Sequence, residues 1–201
     1  MYNGGLAVEF ALIVSWFDDT SQGSYSIALG LASLFEVGVH WGSQHLVNRE
    51  AAARFDTLKE RLPSLFAASL LTILCVGTAI TGVYGWPMAV IAVAALTRAG
   101  AMLLGAICIG RGEILAPVTA RILSPVLALG VMLVWVRNDP TLVGLALVTV
   151  AATLGYAGPV WVATQKLGLR GPARPSRWIS GWRQLAGDVW PYLVLFFFGQ
   201  L

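Results

Sequence analysis

Three ionisable residues stand where an apolar chain tolerates them least. Glu9, Glu36 and Arg98 each interrupt a long hydrophobic run, and Arg98 lies near the middle of its own. An Arg or Asp at the centre of a membrane-crossing helix costs about 2.5–3.5 kcal/mol on insertion scales. Such a group persists when it is paired or when it faces a wet cavity. Arg98 with Glu36 or Glu9 is the natural pair, and two chemistries follow. One is a structural salt bridge that fixes helix register. The other is a solvated chamber whose guanidinium receives an anion and whose carboxylate senses a cation or proton. A pair that opens when the anion arrives would do both.

Further polar residues gather around Glu36. At about 100° per residue, Ser26, Ser33, Glu36, His40, Ser43 and Gln44 share one face of a helix. A polar stripe through a membrane helix faces partner helices or water. His40 follows Glu36 by one turn, which permits proton coupling as well as simple hydrogen bonding. His40 and His45 do not share a face and make a poor metal site. Around Arg98, the small residues Ala94, Ala101 and Gly105 share its helical face and invite close packing. Arg121 lies about 10 Å inside the end of its own run. It either snorkels to lipid headgroups or points into the cavity. Pro117 and Pro125 predict a kink in that helix. Thr149, Thr153 and Tyr156 are expected to hydrogen-bond between helices.

These residues must be held by membrane elements. The chain has 201 residues, 57% hydrophobic and 11% charged, with a mean hydropathy of +0.75. Soluble domains carry about 25% charged residues, so soluble and disordered classes are excluded. The reading is all-α: a polytopic bundle of six membrane helices and the start of a seventh. The first span ends at Phe17 and starts at or before Gly4. The others cover 25–47, 62–83, 86–109, 114–136 and 141–164, with a seventh from about 185. Residues 1–165 form the six-helix lobe, 166–184 a basic Gly/Pro-bearing linker, and 185–201 the opening of a second lobe. The N-terminal stretch lacks positive charge and is not read as a signal peptide.

The loops assign sides. Arg49, Arg54, Lys59, Arg61, Arg111, Lys166, Arg170, Arg174, Arg177 and Arg183 fall on one side, out of 13 Lys and Arg in all. The other side holds Asp18, Asp19 and the uncharged turn Tyr84-Gly85-Trp86-Pro87, with Arg137 beside Asp139. The positive-inside rule puts the basic side and the N-terminus in the cytoplasm. The net charge of +3 thus reports orientation and contact with membrane lipid, not nucleic-acid binding. Cys75 and Cys108 sit in apolar runs and read as small hydrophobes. No nucleophile elbow, phosphate loop or zinc spacing is visible. The trapped charges suit binding and moving an anion better than bond-making, so neither enzyme activity nor a cofactor is expected.

Several segments resemble a known family. Gly23-Ser24-Tyr25-Ser26 followed by Leu29 to Gly38, Arg98-Ala99-Gly100 through Gly110-Arg111, Arg121-Ile122-Leu123-Ser124-Pro125-Val126-Leu127, and Asp188-Val189-Trp190-Pro191-Tyr192 through Leu201 are similar to Wzx-type polysaccharide flippases. These belong to the multidrug/oligosaccharidyl-lipid/polysaccharide exporter superfamily. The resemblance implies a V-shaped transporter with two six-helix lobes around a cationic cavity. It implies bacterial inner-membrane location, and a polyprenyl-diphosphate-linked oligosaccharide carried from the inner to the outer leaflet for cell-surface polysaccharide. Arg98 matches best as a contact to the diphosphate, with Arg49 and Arg121 after it. Such families have about twelve to fourteen helices in two related halves. One half is expected here, paired with a second six-helix lobe. A cation-coupled multidrug exporter of the same superfamily is the nearest alternative, although Arg98 argues against an acid-lined cavity. A non-transporting membrane subunit of envelope-glycan synthesis, or a scaffold with a dry and fully paired polar stripe, are the others.

Overall fold

A computed structural model describes residues 11–36, 47, 51–53, 55–138 and 140–169, excepting the side chains of 33–36, 57, 59–61 and 63–72. All regular structure among them is helical. Residues 11–16 are helical and lead into α1 (Asp19–Glu36), followed by α2 (Phe55–Tyr84), α3 (Trp86–Gly110), α4 (Leu115–Val131) and α5 (Leu142–Lys166). A π-helical segment, Met132–Val136, prolongs α4. Among the described residues, three helices are long and apolar enough to cross a membrane: α3 at 25 residues, α4 with its extension at 22, and α5 at 25. They coincide, to within two residues, with the spans expected at 86–109, 114–136 and 141–164.

Elsewhere the helices begin earlier than the apolar runs that announce them. α1 starts at Asp19 instead of near residue 25. Asp18 caps it: the first helical bond runs from the Gln22 N–H to the Asp18 carbonyl at 3.0 Å, and the Ser21 hydroxyl and N–H both donate to the Asp18 carboxylate. Polar residues here start a helix instead of merely preceding one. The run expected at 62–83 lies inside α2, whose 30 residues extend about 45 Å. That is longer than a hydrocarbon core about 30 Å thick, and α2 is not among the three candidate spans, its described apolar stretch being Ile73–Tyr84. Lys59 and Arg61, expected in a loop, lie on the first turns of α2.

The ends of the helices follow from local chemistry. Gly85, at φ 87°, closes α2, and Pro87 opens α3. A positive φ suits glycine, and proline fits the first helical turn because its missing N–H would have no partner there. Gly112 at φ 81° ends α3, where the Glu113 N–H reaches back to the Cys108 carbonyl at 2.8 Å. The Arg111 guanidinium then lies 4.5 Å from the centre of the Phe55 ring and ties this end of α3 to the start of α2. The Thr141 hydroxyl caps α5 by accepting from the Gly144 N–H at 3.3 Å.

The helices run up and down, and their core divides into two layers. One layer joins Phe17, Tyr25, Ala28, Ile80, Ile91, Leu96, Met132 and Leu145 at the Trp86 end. The other joins Leu58, Leu62, Leu104, Ile107, Ala120 and Val160 at the Arg111 end. α3 packs against α1, α2 and α5, and α5 also packs along α4. At Gly155 a Cβ would stand 2.9 Å from the Leu123 carbonyl oxygen and 2.9 Å from Ser124 Cα. The α4 and α5 backbones therefore touch there.

Candidate functional site

Between the two apolar layers lies a polar seam. Thr153 Oγ1 on α5 donates to the Ala94 carbonyl of α3 at 3.0 Å. Ser124 Oγ on α4 donates to the Ala152 carbonyl of α5 at 2.8 Å. Both side chains are buried, and a buried hydroxyl without a partner would be costly. Each bond therefore fixes the axial register of one helix against the next. Thr149, expected to reach a neighbour, instead donates to Leu145 O of its own helix at 2.9 Å. It sits one turn before Thr153, where the nearest acceptor is the carbonyl four residues back. Tyr156 is buried, with its hydroxyl 3.2 Å from where a Cβ at Gly105 would stand.

Arg98 adjoins this seam. Ala94, Ala101 and Gly105, which share its face of α3, are all buried. The Thr153 bond and the Tyr156 contact turn that face toward α5. Arg98 itself is half-buried. The packing expected of the small residues is thus present, and it aligns Arg98 with the α3–α5 seam.

The other expected site residues are distributed differently. Arg121 is exposed on α4. The buried stripe of that helix is Pro117, Ala120, Ser124 and Ala128, and Arg121 lies about 100° round from Ala120. It does not share an interior with Arg98. Glu36 is the last residue of α1, the helix that packs on α3, and its side chain lies outside the described residues. So do Glu9, His40, Gln44 and Arg49. Ser26, at one edge of the expected polar stripe, is exposed, whereas Tyr25, Ala28 and Ala32 form the buried face of α1. Both cysteines are free, Cys108 buried and Cys75 exposed. Among the described residues no three His, Cys, Asp or Glu side chains gather where they could hold a metal.

One feature has no counterpart in the sequence reading. A groove of about 810 Å³ opens between α2, α3 and α5. Leu74 and Gly77 line it from α2, Trp86 and Val93 from α3, and Val150 and Leu154 from α5. Thr78, Thr81, Thr97 and Thr153 also line it, and among the described residues no charged side chain does. Gly77 permits the approach of α2 to α3, since a Cβ there would meet Val93 Cγ2 at 2.9 Å. The small and β-branched residues on α2 were the available signal. Their register against α3 and α5 is a matter of packing, which a single helix does not display. No protein-family model, curated protein or solved structure matches the chain.

Proposed function

We propose that this chain is one helical lobe of a membrane transporter that carries a polyprenyl-diphosphate-linked oligosaccharide from the inner to the outer leaflet. In this reading the lobe has six spans, with a seventh opening a second lobe, and sits in a bacterial inner membrane with its N-terminus in the cytoplasm. The observation that carries the reading is Arg98. It is half-buried near the middle of a helix long and apolar enough to cross a bilayer, beside a hydroxyl-bearing seam. A guanidinium offers five donors in a fixed fork that suits phosphate oxygens. In low dielectric its attraction for a diphosphate is strong. Glu36 on the adjacent helix is the counter-charge that the arriving phosphate would displace. The resemblance to polysaccharide flippases and the asymmetric distribution of basic residues point in the same direction.

The test is complementation of a glycan-export-deficient strain with the complete gene. Arg98→Ala is expected to abolish export while membrane insertion and abundance stay at wild-type level. Arg98→Lys, which keeps the charge but not the fork, is expected to retain part of it. Wild-type export by Arg98→Ala would defeat the diphosphate role.

A further inference from the structure

The groove between α2, α3 and α5 runs along α3 from Trp86 to Thr97, a rise of about 16 Å. That is close to half of a hydrocarbon core about 30 Å thick. Its mouth lies at an interfacial aromatic pair: Tyr84 and Trp86 are both exposed, and such residues mark headgroup level. Its floor lies beside Thr97, at mid-depth.

The wall hydroxyls have no hydrogen left to give an occupant. Thr78 Oγ1 donates to Leu74 O at 2.8 Å and Cys75 O at 3.0 Å. Thr81 Oγ1 donates to Gly77 O at 2.7 Å, Thr97 Oγ1 to Val93 O at 2.7 Å, and Thr153 Oγ1 to Ala94 O at 3.0 Å. Each hydroxyl has one hydrogen to give, and each has given it to a helix carbonyl. Among the described residues the groove therefore offers an occupant methyl groups and aliphatic side chains, and hydroxyl oxygens that can only accept. The indole of Trp86, at the mouth, is the one lining side chain among the described residues with a strong N–H donor. An apolar slot with its polar handle at headgroup level and a length near one leaflet matches one kind of occupant. We propose that the groove holds an acyl chain of a bilayer phospholipid from the leaflet on the Trp86 side, with the chain end beside Thr97. This rests on the helices crossing a membrane and is independent of glycan transport.

The experiment reconstitutes the full chain in phosphatidylethanolamine/phosphatidylglycerol vesicles with a trace of phospholipid carrying a diazirine midway along one acyl chain. After irradiation, adducts are mapped by peptide. Residues 73–82 and 86–97 are expected to be labelled several-fold above the exposed α4 face at Ile122 and Val126. A Cβ at Gly82 meets nothing within 4 Å, so Gly82→Trp has room to enter the groove. It is expected to lower groove labelling several-fold and leave α4 labelling unchanged. Groove labelling no higher than that of α4, or undiminished in Gly82→Trp, would overturn the proposal. Absence of labelling on both faces would overturn the membrane reading itself, and the proposal with it.

A second measurement does not depend on that variant. In a background with Cys75→Ser and Cys108→Ser, Thr97→Cys is expected to resist a membrane-impermeant maleimide applied from the Trp86 side. Reaction as fast as at Asn138→Cys would show water in the groove and overturn the proposal.

Discussion

Arg98 was legible in the sequence because a charge inside an apolar run is a contrast that composition alone reveals. Its setting was partly legible too, since Ala94, Ala101 and Gly105 recur on its face and all are buried. The direction of that face was not, because one helix does not state which neighbour it meets. The proposed coupling of Arg98 to Glu36 gives a sharper expectation than loss of function alone. Double-mutant cycles on interacting charges depart from additivity by about 0.5–3 kcal/mol. Glu36→Gln and Arg98→Gln, alone and combined, should show a departure of that kind in thermal stability in detergent micelles. Additive losses would remove the pair. At the other end of α1, Asp18 supplies a pH prediction. The Ser21 hydroxyl beside it, reinforced by the Ser21 N–H, holds its carboxyl below the ordinary value. A lowered folded-state pKa adds stability that is fully present above the ordinary value of about 3.9 and is lost as pH falls through the lowered one. Protection of the Ser21 amide in hydrogen exchange should therefore hold from neutral pH to about pH 4 and weaken in stronger acid. Asp18→Asn should flatten that profile, because an amide oxygen caps without titrating.

Helices were easiest to read where glycine, proline or a capping hydroxyl bounded the apolar run, as at Gly85-Trp86-Pro87, Gly112 and Thr141. They were misread where polar residues belonged to the helix. Asp19, Thr20 and Gln22 on α1, and Lys59 and Arg61 on α2, end the apolar run without ending the hydrogen-bonded ladder. Hydropathy reports where hydrocarbon stops, whereas the ladder continues into water. The contact of α4 with α5 is tightly specified. At Gly155 an added methyl would meet backbone atoms of Leu123 and Ser124 that have no rotamer by which to yield. Gly155→Ala should then destabilise by about 1–3 kcal/mol, the usual range for overpacking, and lower the melting temperature in micelles. Gly158 lies three residues along the same helix, and a Cβ there meets nothing within 4 Å. Gly158→Ala should leave stability unchanged or raise it by up to about 1 kcal/mol, the helix-propensity difference. Equal effects at both positions would contradict the close crossing.

The described helices form two apolar layers separated by a seam of hydroxyls, with a partly buried guanidinium beside the seam. The layers account for cohesion, and the seam fixes how the helices are offset along their axes. Among the described residues the apolar groove on the Trp86 side carries no charge, so the cationic chamber expected from the sequence opens, in the proposed reading, from the Arg98 side of α3. The groove escaped the sequence because its shape is made by three helices and its hydroxyls are spent locally. Water at Arg98 is the claim on which transport depends. The most direct measurement places a thiol at that position, as Arg98→Cys with Cys75→Ser and Cys108→Ser, in the complete protein in membrane vesicles. Reaction with a small water-soluble methanethiosulfonate, at a rate well above that of a thiol placed on the exposed lipid-side face at Val126, is the predicted result. A thiol at position 98 that stays unreactive would contradict the account.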